Sequence, residues 1–228
     1  ILFLTISLLI TGCGKKEVNN IDETSTTKTK IIEDNIKTSE ANLPLKWITL
    51  TPKSFQGSDF TSFFEKAKEI GDDNQFIVSW AGDWNELKDI DKKKGAPFVV
   101  TKLASTYDYI PLIEVQFFTQ STGKLLRPLD ETTKTEYKDN VILFVEKYKP
   151  EYIALGIEVN VLYTSSPSDF KDFKNLYNEI YDKIKASSPN TKVFTIFQLE
   201  KMKGLNGGLF GGINDETKAQ WSLLKEKS

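Results

Sequence analysis

From Leu45 onward, segments patterned like β-strands alternate with segments patterned like α-helices. The predicted strands cover residues 46–50, 75–80, 109–118, 152–160 and 192–200. Between them, apolar side chains recur at the three- and four-residue spacing of a helix face. Strands separated by helices pair in parallel, because a crossover helix returns the chain to the same end of the sheet. The alternation therefore predicts an α/β fold built around a parallel sheet.

Two architectures satisfy this alternation: a doubly wound open sheet, which can be complete with five strands, and a (β/α)8 TIM barrel, which has eight. Polar side chains recur at the C-terminal ends of the predicted strands, where barrel enzymes place their active sites. These side chains are Asp83, Gln116, Glu158, Asn160, Gln198 and Glu200. The first loop also lacks a glycine-rich dinucleotide fingerprint. We therefore predict a TIM barrel, truncated here to about five β-α units, with the remaining units beyond Ser228.

Residues 152–160 contain the clearest candidate for chemistry. Read as a strand, this stretch places bulky apolar residues on one face. The other face carries Ala154 and Gly156, followed by Glu158 and Asn160 at the C-terminal end. Small neighbours would partly remove the Glu158 carboxylate from water and raise its pKa. We therefore predict that Glu158 is a catalytic residue, and the alternative is that it pairs with a lysine or arginine inside a barrel.

Composition narrows the chemistry to a few side-chain types. The sequence has no histidine and one cysteine, which excludes His-based catalytic triads, a disulfide within the chain and Cys-rich metal sites. Acid–base chemistry therefore falls to Asp, Glu, Lys or Tyr, and we predict no metal and no cofactor. The formal net charge of −2 gives no basic footprint, so no nucleic-acid partner is expected.

The run from Leu155 to Asn160, Leu-Gly-Ile-Glu-Val-Asn, resembles the end of the fourth strand in retaining glycosidases built on TIM barrels. Within that clan it is similar to the galactanase-like (arabinogalactan endo-β-1,4-galactanase-like) members. The resemblance implies that Glu158 is the general acid/base and that the nucleophilic Glu, at the end of strand seven, lies beyond Ser228. Such enzymes hold their two carboxylates about 5 Å apart. Ile157 stands where the clan has a sugar-contacting Asn, and Asn160 is the candidate to replace it.

Other residues near the predicted strand ends are candidates for substrate binding. Trp80 and Trp84 flank Asp83, and the apolar faces of sugars stack well on indoles. For Trp80 the alternative is a core position against helices. Further substrate-binding candidates are Gln116, Asn160, Gln198 and Glu200. Glu200 could orient the substrate or bind Glu158, and the alternative for it is a solvated rim position. Glu114, deeper in its strand, is expected to pair inside the barrel.

The N-terminal part has the composition of a lipoprotein leader and tether. Its first ten residues are almost wholly apolar, too few to span a bilayer, and residues 9–13 read Leu-Ile-Thr-Gly-Cys. This run resembles the lipobox of bacterial lipoproteins. We therefore predict a signal peptide over residues 1–13 and lipidation of Cys13, with an ordinary thiol as the alternative. Residues 14–43 predict a disordered linker, and residues 44–228 the partial barrel.

Together these patterns predict a monomeric, membrane-anchored, extracytoplasmic protein at the cell surface or in the periplasm, with carbohydrate as its substrate and a lipid anchor in the membrane. The resemblance implies hydrolysis of an oligo- or polysaccharide by the two-carboxylate retaining mechanism. The alternative is a non-catalytic carbohydrate-binding surface lipoprotein on the same scaffold, which the Ile157 departure keeps open. A third class, solute capture for a transporter, would need a second lobe, for which the sequence shows no pattern.

Overall fold

A computed structural model describes residues 45–71, 75–88, 95–206, 209–210 and 215–223 of the chain. The chain divides into two units, residues 1–44 and residues 45–228, and all of the described residues belong to the second unit. The predicted signal peptide, the lipidation site Cys13 and the predicted linker lie outside the described residues. All three stay predictions.

Nine β-strands form in the part of the chain that the structure describes. They are β1 (Lys46–Thr49), β2 (Phe76–Asp83), β3 (Ile110–Gln116), β4 (Phe118–Thr119), β5 (Lys124–Leu125), β6 (Tyr152–Leu155), β7 (Lys192–Phe194), β8 (Leu205–Asn206) and β9 (Leu209–Phe210). One parallel sheet contains β1, β2, β3, β6 and β7 in that order, and β4–β5 and β8–β9 are antiparallel pairs. The structure confirms the α/β class, while closure into an eight-stranded barrel stays a prediction.

Seven α-helices lie within the described ranges. They are α1 (Gly57–Gly71), α2 (Ala96–Tyr107), α3 (Glu131–Tyr148), α4 (Val159–Ser165), α5 (Pro167–Ser187), α6 (Leu199–Met202) and α7 (Asp215–Leu223), with a 3-10 helix over Trp84–Leu87. Asp130 caps α3 by accepting a hydrogen bond from the Thr133 amide at 2.8 Å. Pro167 lies in the first turn of α5, where no amide donor is needed. None of the described helices has both the length and the apolar character needed to cross a membrane.

The two faces of the parallel sheet are covered differently. The strand order equals the chain order, and successive right-handed crossovers in one direction place the helices on one face. On this helix face Val78, Ile113 and Ile153 are fully buried in a core shared with residues of α1, α2, α3 and α5. The far face carries a smaller apolar cluster, made of Ile77, Ile110 and Leu112 with Tyr152 and Phe194 packed against it. The hydrophobic core therefore lies on the helix side, and the far face also carries polar residues.

The strand predicted over residues 152–160 is shorter in the structure. β6 stops at Leu155, because Gly156 adopts a φ of 92° that an extended strand does not allow. The chain then bends, and Glu158 directly precedes α4 while Asn160 lies inside that helix. The prediction that Glu158 and Asn160 share one strand face is therefore wrong.

The strand predicted over residues 192–200 is also shorter. β7 stops at Phe194. Gln198 precedes α6, and Glu200 lies in the first turn of that helix, so the prediction that these two residues lie at the end of a strand is wrong. An apolar–polar alternation marks a segment that can be extended, but it does not mark the residue at which pairing stops.

Candidate functional site

The loop between β6 and α4 holds Glu158 at the C-terminal edge of the parallel sheet. Gly156 opens this loop: its amide donates to the Val115 carbonyl at 2.9 Å, and its carbonyl accepts from the Ile196 amide at 3.2 Å. A side chain has no room at Gly156, since an added Cβ would lie 2.7 Å from Val159 Cγ1. The loop is therefore tied to β3 on one side and to the segment after β7 on the other.

Glu158 has an unusual backbone conformation for a residue with a side chain. Its φ of 56° and ψ of 40° lie in the left-handed region, which costs on the order of 1 kcal/mol outside glycine. Such strain persists where the surroundings enforce it, and it is common at functional sites. Burial raises the pKa of the half-buried carboxyl, the charge of Glu200 raises it further, and Lys201 lowers it. The upward direction of this pKa shift agrees with the prediction from the sequence. Glu158, however, lies at the start of a helix and not at the end of a strand.

The structure brings Glu158 and Glu200 close enough for their charges to interact. Glu200 is exposed at the start of α6, and the half-buried Lys201 follows it. Two neighbouring carboxylates do not ionise equally well, and the more buried one keeps its proton to higher pH. The neighbouring charge of Glu200 therefore adds to burial in favouring the protonated form of Glu158.

Asn160 connects the Glu158 loop to the loop that leads to Glu200. Its Oδ1 accepts from the Gln198 amide at 2.8 Å, and its Nδ2 donates to the Gln198 carbonyl at 3.0 Å and to Gln220 Oε1 at 2.9 Å. The Asn160 side chain has no exposed surface. The structure therefore does not support the predicted role of Asn160 in substrate binding, because its amide is buried and already occupied by protein groups.

A second polar group at this edge is the ion pair of Asp83 and Arg127. Asp83 ends β2, accepts from the Asn85 amide at 2.9 Å, and lies with both carboxylate oxygens 2.9 Å from Arg127 Nη1. The side chains of Arg127 and Asp83 are 37% and 32% exposed, so a ligand can reach both. Sequence reasoning missed Arg127, although it is the only arginine of this lysine-rich chain. Arginine offers a planar donor group that lysine lacks.

Neither predicted tryptophan presents an exposed ring. Trp84 is 1% exposed and packs edge-on against Tyr137, with Arg127 5.1 Å and Lys88 5.0 Å from its ring centroid. Trp80 is 5% exposed and belongs to the core on the helix face, which is the alternative role considered for it. A sugar-stacking platform requires an accessible indole, so the structure does not support this role at either position.

The far face carries a buried carboxyl below the edge. Gln116, at the end of β3, is half-buried and lies in register with Asp83. Its contact with a substrate stays a prediction. Two residues earlier in β3, Glu114 is 5% exposed. Burial raises the pKa of Glu114 from the ordinary value of 4.5 to about 7, although a hydrogen bond with Ser79 lowers it. Within the described ranges Glu114 has a hydroxyl as its partner, and we find no ion pair of the kind predicted for it.

Away from the sheet edge, the described residues form an apolar cavity but no cluster of three metal-ligating side chains. An apolar cavity of about 250 Å³ lies between α5 and the segment around β7, lined by residues that include Phe170, Phe173, Tyr177, Val193 and Phe197. It contains none of the predicted site residues. In the described ranges no three potential metal-ligating side chains of His, Cys, Asp or Glu cluster together. The carboxylates at the sheet edge are therefore the groups best placed for chemistry.

The fold and the site together define an α/β protein whose parallel sheet carries a Glu–Glu pair and an Asp–Arg pair at its C-terminal edge. Comparison of the chain with protein-family models, with curated proteins and with solved structures finds no match. The arrangement of these residues and the sequence patterns described above are therefore the features that indicate a function.

Proposed function

We propose that this protein is a carbohydrate-active protein of the glycoside-hydrolase type, in which Glu158 is the general acid/base. The observation that carries the proposal is the placement of Glu158 in a fixed loop at the C-terminal edge of the sheet, half-buried beside Glu200. A general acid must keep its proton at the pH of the reaction. Burial and the neighbouring charge of Glu200 shift the pKa of Glu158 in that direction.

The proposed chemistry is the two-carboxylate retaining mechanism. A nucleophilic carboxylate attacks the anomeric carbon and forms a glycosyl ester, while Glu158 gives its proton to the leaving oxygen. Water then attacks the ester, Glu158 takes a proton from that water, and the sugar leaves with both carboxyl groups restored. The nucleophile is proposed to lie beyond Ser228, at the end of the seventh strand of a full barrel. In this scheme Glu200 assists by raising the pKa of Glu158.

The finer fold is part of the proposal: the five parallel strands are a segment of a TIM barrel. Two observations support it. The strand order has no reversal, which a doubly wound sheet requires at its ligand-binding crevice. The helices of the main core lie on one face, as they do in a barrel. In that arrangement Glu114 lies in the barrel interior, and Asp83, Gln116 and Gln198 lie at the rim, where we propose that they contact the sugar.

The proposal includes a membrane anchor. The apolar start of the chain and the small-residue run before Cys13 support lipidation at that cysteine. The polar composition of residues 14–43 supports a flexible tether from the anchor to the domain. The domain would then act, as a monomer, on oligo- or polysaccharide at the extracytoplasmic side of the membrane.

One observation favours the alternative function, a carbohydrate-binding lipoprotein without turnover. Ile157 stands at the position where the resembling glycosidases carry a sugar-contacting Asn. In the structure Ile157 is 9% exposed, and an aliphatic side chain offers no hydrogen bond to a sugar hydroxyl. The site could therefore hold a glycan without the contact that assists its cleavage.

Turnover and binding can be separated in one experiment on the full-length protein. The protein is incubated with a panel of polysaccharides, new reducing ends are measured, and binding is measured by calorimetry. We expect new reducing ends with at least one glycan, and we expect Glu158→Gln to bind that glycan without cleaving it. The matched control is Glu151→Gln, because Glu151 precedes β6 at the opposite end of the strand and pairs with Lys192.

Each outcome of that experiment has a definite meaning. Binding without new reducing ends in the unmodified protein would favour the binding lipoprotein. Equal cleavage by the Glu158→Gln variant would remove Glu158 from the mechanism. If the protein neither binds nor cleaves any glycan of the panel, both functions are contradicted.

A further inference from the structure

The loops that carry Glu158 and Glu200 are joined by a short ladder of hydrogen bonds. The Ile196 amide donates to the Gly156 carbonyl at 3.2 Å, and the Val159 amide donates to the Ile196 carbonyl at 3.0 Å. Backbone pairing between the loops then stops, because residue 159 begins α4. A further tie is needed to fix the residues between Ile196 and Glu200.

The Asn160 side chain supplies this tie. Its carboxamide bonds to both the amide and the carbonyl of Gln198, at 2.8 Å and 3.0 Å. A carboxamide carries one acceptor and one donor group in a plane, as a peptide group does, so it can replace a missing partner strand. Gln220 of α7, itself 1% exposed, accepts the remaining Asn160 hydrogen at 2.9 Å. Both hydrogens and the oxygen of the buried Asn160 amide therefore have partners.

We propose that Asn160 is a positioning residue, which clamps Gln198 and so fixes the first turn of α6, with Glu200, against the loop of Glu158. The proposal rests on the proposed function of Glu158 as an acid. It replaces the expected contact between Asn160 and the substrate with an action through the two carboxylates. The interaction of two charges falls with their separation. Loosening the Gln198 loop would therefore weaken the influence of Glu200, and of the neighbouring Lys201, on Glu158.

The test is a ¹³C NMR titration of the Glu158 carboxyl in the full-length protein. Glu200→Gln should lower the pKa of Glu158, because it removes a like charge. Asn160→Ala should also lower it, because Glu200 is no longer held in place. The double variant should titrate no lower than Glu200→Gln alone, since both changes remove the Glu200 interaction and Asn160→Ala also weakens that of Lys201, which lowers the pKa of Glu158. Thr164→Ala is the matched control, as Thr164 lies on α4 but bonds within that helix.

A second measurement on the unmodified protein keeps the test valid if Asn160→Ala does not fold. The clamp predicts that the Gln198 amide exchanges its hydrogen at least about tenfold more slowly than an unprotected amide. Free exchange of that amide would overturn the clamp. An unchanged Glu158 titration in a folded Asn160→Ala protein would overturn it as well.

Failure of the clamp and failure of the proposed function give different results. Neither the titration nor the exchange measurement uses a carbohydrate. If Glu158 responds to Asn160 as stated but no glycan is cleaved, the clamp stands and the hydrolase function fails. If cleavage depends on Glu158 but the Glu158 titration ignores Asn160, the hydrolase function stands and the clamp is wrong.

Discussion

Burial raises the pKa of two carboxyl groups that the sequence singles out, Glu158 at the sheet edge and Glu114 on the far face. The sequence singles out both glutamates, because each lies in a segment where apolar and polar residues alternate. It also predicts the upward pKa shift of Glu158, because burial of a carboxyl next to apolar residues disfavours its charge. It offers Glu200 as a possible partner of Glu158, but it does not predict the Ser79 hydroxyl beside Glu114, since that hydroxyl belongs to a neighbouring strand.

At the residue scale, replacing Glu114 by Gln should change the pH dependence of stability. The pKa of Glu114 is about 7 in the folded protein against an ordinary value of 4.5. The folded state therefore binds more protons between these values, and stability falls as pH rises through them. This penalty is absent below pH 4.5 and reaches roughly 3 kcal/mol above pH 7. Glu114→Gln lacks the penalty, so it should be more stable than the unmodified protein at pH 8 and similar near pH 4.

Urea unfolding at several pH values measures this difference. Glu65→Gln is the control, because Glu65 is exposed on α1 and its replacement should leave no pH-dependent difference. A Glu114→Gln difference that stays constant between pH 4 and pH 8 would contradict the burial of an ionisable carboxyl at this position.

At the element scale, the segments after β6 and β7 show what a pattern determines and what it leaves open. The alternation of apolar and polar residues locates both strands and the edge that carries the polar side chains. It does not reveal that β6 ends at Leu155 or that β7 ends at Phe194. Those ends depend on a glycine φ and on contacts between loops. The hairpin of β4 and β5 was also not predicted, because strands of two residues are too short to show a period.

A Gly156→Ala substitution tests the loop that follows β6. The added Cβ would meet Val159 Cγ1 at 2.7 Å and would require a side chain at a φ of 92°. We expect a loss of about 2 kcal/mol or more in the free energy of unfolding, measured in urea. Gly57→Ala separates the two causes, because Gly57 also has a positive φ of 58° but no atom within 4 Å of an added Cβ. That control should lose only about 1 kcal/mol, and equal losses at both glycines would contradict the close packing of the loop.

At the scale of the whole molecule, the order of elements was the most predictable property. Alternating strands and helices led to a parallel sheet, and the structure confirms the sheet and its α/β class. The alternation alone does not say which faces the helices cover, because a doubly wound sheet has helices on both faces and a barrel has them on one. Trp47, 48% exposed on β1, lies in register with Ile77 of the far face. Apolar residues on that face are what the interior of the proposed barrel would contain.

The proposed membrane anchor is also a property of the whole molecule. Replacing Cys13 by Ser should move the full-length protein from the membrane fraction to the soluble fraction of expressing cells, because serine cannot carry the thioether lipid. Immunoblots of the two fractions measure the shift. Ser25→Ala, a change within the predicted linker, should leave the protein in the membrane. Membrane retention of the Cys13→Ser protein would contradict lipidation at this residue.

In the proposed mechanism Glu158 protonates the leaving group. The loss of kcat/KM in Glu158→Gln should therefore depend on whether the leaving group needs a proton. The value of kcat/KM is compared between the full-length protein and Glu158→Gln, on a polysaccharide and on a dinitrophenyl glycoside of the same sugar. A dinitrophenolate leaves without a proton, whereas a sugar alkoxide does not. We expect kcat/KM of Glu158→Gln to fall about 10²- to 10⁴-fold on the polysaccharide and far less on the dinitrophenyl glycoside. Equal losses on both substrates, or no loss on either, would contradict this role of Glu158.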